Sequence, residues 1–129
     1  MIDLAEHNNG EYIKLMDVAR RQGISEKYLE GILSALTKNG LLLGVRGKGG
    51  GYKLAVPPES CSVGRVIKAT EGSLAPVACL ESSPNLCPRA GECRTLPLWQ
   101  GLNKVIDDYL EGITLAELTA APDADFYCI

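Results

Sequence analysis

Cys79, Cys87 and Cys93 follow the pattern C-x7-C-x5-C inside CLESSPNLCPRAGEC, a stretch rich in Pro, Gly and Ser. Thiolates are soft ligands, and three of them at short loop spacings suit an iron–sulfur cluster or zinc. Three thiolates with one open or weak fourth position favour a labile, sensing cluster over a closed structural zinc. Redox-active thiols without metal are the next alternative. The one histidine, His7, is far upstream and is not favoured as a ligand, while Glu81, Glu92 or an external thiol could complete the set. Cys61 reads as a small buried apolar residue, and Cys128 also stands apart from the triplet. The chain has no C-x-x-C, no cysteine–histidine pair and no carboxylate pair suited to acid–base work, so an enzyme is not expected.

The elements ahead of these thiols carry a second chemistry. Ile13 to Arg21 is a short amphipathic segment stopped near Gly23. Ser25 then reads as an N-cap, with Glu26 in the first turn where the helix dipole favours an anion. Leu29, Ile32, Leu33 and Leu36 repeat at i, i+3, i+4 and i+7, one buried helical face, and Asn39-Gly40 supplies the stop. Two helices joined by a short Gly-containing turn form a helix-turn-helix, whose second helix faces the major groove. LLLGVR and YKLAV then pair as strands around GKGGG, a β-hairpin wing with Arg46 and Lys48 at its tip. The glycines do not make a phosphate loop, because G-x-x-x-x-G-K-[ST] is absent and no helix follows. The side chains expected at DNA are Ser25, Lys27, Tyr28, Glu30 and Lys38 on the second helix, with Arg46 and Lys48 on the wing. Lys27 suits guanine or a phosphate, and Glu30 suits a cytosine amino group.

Charge follows the same division. The whole chain is at −3, yet residues 14–53 carry eight basic and three acidic side chains, while residues 54–129 carry five and ten. Affinity for a phosphate backbone depends on the local face, so a basic reading head is compatible with an acidic remainder. At 129 residues the chain can bury a real core, its apolar runs are too short to span a bilayer, and no leader pattern is visible. A cytoplasmic protein is expected, a compartment where clustered thiols signal metal or redox chemistry more often than disulfides.

Downstream, Ser62 caps a helix with Val63, Val66, Ile67 and Thr70 on one face, ending at Gly72. A longer helix runs from about Pro97 to Gly112, where Trp99, Leu102, Ile106, Tyr109 and Ile113 step 3, 4, 3, 4 as a heptad seam. That seam is expected to dimerise the chain, with an intramolecular core as the equal alternative for so short a seam, and a dimer reads a pseudo-palindromic operator. ITLAEL reads as a short terminal helix, and APDADFYCI carries no pattern. The expected fold is mainly α with a small β-hairpin wing. Residues 1–58 form a winged helix-turn-helix, and 59–129 hold the thiol loop and the dimerisation helix.

In order and spacing, RQGISEKYLEGILSALTKNGLL, VRGKGGGYKLA, VGRVIKATEG and LWQGLNKVIDDYLEGITLAEL resemble the Rrf-two family of bacterial winged-helix regulators, of IscR, NsrR and CymR type. The resemblance spans about residues 1–118. It implies a homodimeric, cytosolic, usually repressing transcription factor. In its cluster-binding members three cysteines of this loop hold a [2Fe–2S] or [4Fe–4S] centre, which by position implies Cys79, Cys87 and Cys93 here. It likewise implies base reading by Ser25, Lys27 and Glu30 and a wing contact by Arg46. The chain departs from the pattern in two places. The first gap is two residues longer than the common C-x5-C-x5-C, and Leu96 stands where IscR-type members place a histidine ligand. Other members take a carboxylate from the extreme N-terminus, and MIDLAEH is similar to the later part of the family's first helix, so Met1 is expected to be an internal methionine. A cluster that orders residues 79–93 would then shift the two reading heads and tune operator affinity. The alternative is a regulator of the same fold that senses thiol redox state or a metabolic partner without metal.

Overall fold

The turn between the first two amphipathic segments is set by backbone chemistry at Gly23. In the computed structural model, which describes residues 1–120, α2 (Leu15–Gln22) ends there with φ +66°, and Ile24 N donates back to Ala19 O at 3.1 Å. The chain re-enters a helix at once, because Ser25 Oγ accepts from Tyr28 N at 3.1 Å and caps α3 (Glu26–Lys38). The same stop recurs at the far end, where Gly40 takes φ +77° and Leu41 N donates to Leu36 O at 3.0 Å. In both cases a glycine in the left-handed region is followed by an apolar residue whose amide closes the last turn.

A two-stranded antiparallel wing follows, β1 (Leu42–Val45) against β2 (Gly51–Leu54), with Leu42 opposite Leu54 and Val45 opposite Gly51. A Cβ on Gly50 would lie 2.2 Å from Val45 O, so that turn position admits glycine alone. Tyr52 extends the pairing to Ile13 through N–H to O bonds of 2.8 and 2.9 Å, which ties the wing to the start of α2. Lys53 folds back with its ammonium 4.6 Å from the centre of the Tyr12 ring.

The remaining helices are α1 (Ile2–Glu6), α4 (Val63–Glu71), α5 (Leu96–Glu111) and α6 (Leu115–Ala120). Leu29, Leu33 and Leu36 of α3 form the centre of a core completed by Leu4, Val18, Ala19, Leu41, Leu42, Cys61 and Leu115. Cys61 and Leu115 therefore share one core with the reading head, held together by Leu115 N donating to Cys61 O at 2.8 Å. Between α4 and α5 the chain runs with a single 3-10 turn at Ala78–Leu80 and no other regular element. This is the expected architecture, a winged helix-turn-helix followed by a long helix. The tail from residue 121, including Cys128, lies outside the described residues.

Asp3 is buried, and its carboxylate is met from α2 by Arg21 Nε at 2.9 Å, Arg21 Nη2 at 2.7 Å and Gln22 Nε2 at 3.0 Å. The forked guanidinium is suited to such a bidentate grip. Nothing in the periodicity of α1 pointed to it.

Candidate functional site

Helix α3 buries Leu29, Leu33 and Leu36 and presents the opposite face to solvent. Ser25, Lys27, Tyr28, Glu30 and Lys38 are all exposed there. Tyr28 is 65% exposed, an aromatic side chain standing in water on the helix expected to enter a groove. Arg46 and Lys48 are exposed on the wing tip, Lys48 between Gly47 and Gly49 at φ +93° and +79° and Arg46 just before them. Among the described residues Lys14, Arg20, Lys27, Lys38, Arg46 and Lys48 make no ion pair, whereas Lys68 and Lys104 of the second half are paired with carboxylates. Unpaired cations around an exposed helix and a wing tip leave their charge for an external anion, and phosphate is the anion such a face meets on DNA. Ser25 Oγ spends one lone pair as a cap acceptor, so its hydroxyl hydrogen and second lone pair are left for a base or phosphate.

The thiol loop contrasts with this face. Cys79, Cys87 and Cys93 are free and each is half-buried. Cys79 sits in the 3-10 turn, and Cys87 N donates to Asn85 Oδ1 at 2.8 Å, while the buried Asn85 Nδ2 has no hydrogen-bond partner among the described residues. Cys93 Sγ lies 3.4 Å from Thr95 Oγ1 at the start of α5, and that hydroxyl holds the thiol below its usual range. Three free thiols in one loop fit the donor chemistry of an iron–sulfur centre. Among the described residues no three Cys, His, Asp or Glu side chains converge on a common point, so the ligands are supplied but not gathered in this conformation. His7 is engaged elsewhere, its Nδ1 2.8 Å from Asp3 O. Cys61 is fully buried, and burial raises its thiol's pKa, as expected for an apolar role.

The structure sorts the long helix into two stripes. Of the predicted seam, Trp99, Ile106 and Ile113 are half-buried, whereas Leu102 and Tyr109 are exposed together with Leu98 and Val105. The exposed set 98, 102, 105 and 109 is itself spaced as a heptad stripe. Four large apolar side chains in water on one helix face are more than scattered surface exposure. No helix among the described residues is long and apolar enough to cross a membrane.

Two clusters were missed by sequence reasoning. One is Asp3 with Arg21 and Gln22; the other joins Glu111 and Asp107 of α5 to Ser62 and Lys68 of α4. Both form between residues remote in sequence, and no local spacing announces them.

The family model described as Rrf2, iron-dependent transcriptional regulator, matches residues 1–121. The HTH-type transcriptional regulator IscR of Erwinia tasmaniensis is 42% identical over 118 residues, covering 92% of this chain and 70% of the relative. Among solved structures, CymR of B. subtilis, the global cysteine regulator, superposes with a TM-score of 0.71 at 30% identity, over 95% of this chain and 88% of CymR. IscR of T. potens superposes with a TM-score of 0.68 at 32% identity, over 98% of this chain and 87% of that one.

Proposed function

The chain belongs to the Rrf2 (Rrf-two) family of transcriptional regulators, and from that premise we propose a homodimeric repressor whose hold on a pseudo-palindromic operator follows an iron–sulfur cluster at Cys79, Cys87 and Cys93. Transcriptional regulation through DNA is what the family does, and its members are not enzymes. The finer reading is carried by one observation: three free thiols occupy the single loop that joins α4 to α5. A [2Fe–2S] or [4Fe–4S] centre there would supply a soft cross-link whose stability depends on iron supply and oxidants.

The chain's own residues do the rest. Lys27, Lys38, Arg46 and Lys48 bind backbone phosphates, with Ser25, Tyr28 and Glu30 at the base edges. The exposed stripe of Leu98, Leu102, Val105 and Tyr109 meets its copy in a second chain, while the half-buried Trp99, Ile106 and Ile113 face their own chain. Gathering the three thiols shortens the span between the end of α4 and the start of α5, and so biases the placement of one reading head relative to the other.

Protein purified without oxygen should contain iron and sulfide near stoichiometry and show visible charge-transfer bands. Cys87→Ala should lose both while the chain still binds DNA, and its binding should no longer respond to iron or oxidant. A second reading, thiol sensing on the same fold, is favoured by the same three thiols being free and apart, and by the likeness to a cysteine regulator. Iron-free wild-type protein whose DNA binding tracks thiol oxidation would establish that reading and reject the cluster.

A further inference from the structure

Helix α4 packs against α3 and also against α5, so it lies between the recognition helix and the long helix. Its contact with α5 contains a polar cluster that neither DNA reading nor the thiol loop uses. Glu111, in the last turn of α5, accepts from Ser62 Oγ through Oε2 at 2.8 Å and from Lys68 Nζ through Oε1 at 3.1 Å. Lys68 also reaches Asp107 Oδ1 at 2.6 Å, one turn earlier on α5. Ser62 is at the same time the N-cap of α4, its Oγ accepting from Arg65 N at 3.0 Å. The Glu111 carboxylate therefore stands at the end of α4 where the helix dipole favours an anion. Beside it, Ser62 and Thr114 form an antiparallel bridge, and Val63 N donates to Ile113 O at 2.8 Å.

Gly64 shows how close the fit is. A Cβ there would lie 2.5 Å from Glu111 Oε1 and 2.9 Å from its Cδ. These atoms are the end of a flexible side chain, so an added methyl is relieved by swinging Glu111 away. Neither helix backbone has to move.

We propose that Glu111, seated over Gly64, is a positioning residue that fastens α5 to α4 at one angle and thereby sets the spacing of the two recognition helices in the dimer. This rests on the dimeric DNA-binding reading above. With the carboxylate detached, α5 keeps the Ser62–Thr114 bridge and the solvent-exposed Lys68–Asp107 pair, whose long lysine side chain can follow the helix as it pivots about the bridge. A helix of 16 residues is about 24 Å long, so a ten-degree swing moves its far end by roughly 4 Å. An operator with half-sites at a fixed spacing registers that movement as affinity.

The test is selection of binding sites from random duplex DNA by the full chain, by Glu111→Ala, by Gly64→Ala and by the double variant. Both single variants should keep the half-site sequence, shift or broaden its spacing, and bind the wild-type duplex up to about fivefold more weakly, since a dimer loses two such weak junctions. The double variant should bind no worse than either single variant, because both remove one interaction. Gly64→Ala should melt no lower than wild type, since alanine is the better helix former, which separates a change of angle from damage to the fold. Selection of the wild-type spacing at wild-type affinity by both variants would overturn the proposal and leave the dimeric reading intact. Failure of the wild-type chain itself to select paired half-sites would remove the reading on which it rests.

Discussion

The reading head and the half that follows it are built on opposite terms. The head gathers Leu29, Leu33 and Leu36 into the core, ends α2 and begins α3 on local capping signals, and, Arg21 on Asp3 apart, leaves its lysines and arginines without an ion pair among the described residues. The second half differs, with a stripe of large apolar side chains on the outside of α5, lysines paired with carboxylates, and three thiols in a loop whose one regular element is the 3-10 turn at Ala78–Leu80. What the head lacks is an anion. What the second half lacks is cover for its apolar stripe and something to gather its thiols. The switch proposed above would use this asymmetry, because a part that reads must keep its shape while a part that senses must have two arrangements.

The contrast breaks most readily with one substitution made in each region. Leu33 is 2% exposed at the centre of the core, and Leu33→Ala should destabilise the chain by about 3–4 kcal/mol through lost burial and the cavity it leaves. Leu86, 74% exposed in the thiol loop, should tolerate Leu86→Ala within about 0.5 kcal/mol. Denaturant unfolding of both variants measures the difference. Comparable losses would mean that the loop shares the core's cooperativity and is no separate sensing element.

A pair of carboxylates sharpens the same comparison. Asp3 in the head and Glu111 at the junction of α4 and α5 are both held below the usual carboxylate range. The cause is first the Arg21 guanidinium for Asp3 and first the Ser62 hydroxyl for Glu111. Asp3 is 7% exposed and Glu111 is 38% exposed, so solvent screens the second far more. Asp3→Asn should cost roughly 1–2 kcal/mol at neutral pH, and neutralising Glu111 should cost less than about 0.5 kcal/mol of stability. A depressed folded-state value means that the stabilisation is complete above the unfolded value and is lost as pH falls toward the folded one. Thermal melts of wild type and Asp3→Asn should therefore differ at pH 7 and converge below about pH 4. A gap that persists at low pH would assign the loss to packing.

The regions also differ in how much of them the sequence disclosed. Ser25, Gly23, Gly40 and the 29, 32, 33, 36 repeat are local signals, each acting within one turn of chain, so the head's elements were legible to within a residue or two. The thiols were legible as ligands by type and spacing, but where a loop places them is a tertiary question and no local rule answers it. The long helix was legible as amphipathic, with the seam shared between two faces. Periodicity places Trp99 and Leu102 on one stripe, yet Trp99 is half-buried while Leu102 stays in water, a difference set by tertiary packing. Asp3–Arg21 and Glu111–Ser62 join residues 18 and 49 positions apart, beyond the reach of any capping or pairing rule.

The smallest effect tests whether the cap of α3 belongs to the fold or to the DNA face. Ser25 Oγ accepts from Tyr28 N, so Ser25→Ala should cost about 1 kcal/mol and lower the melting temperature by a few degrees. Aspartate caps a helix as well as serine does, so Ser25→Asp should restore that stability. It also sets a negative charge at the N-terminal end of the recognition helix, where a groove-bound helix approaches phosphates and base edges. If the face is the DNA interface, Ser25→Asp should fold like wild type and bind operator about tenfold more weakly, whereas Ser25→Ala should melt earlier and bind more nearly as wild type does. Binding and stability that moved together in both variants would mean that Ser25 acts through the helix alone, and would shift the base-reading role to Lys27, Tyr28 and Glu30.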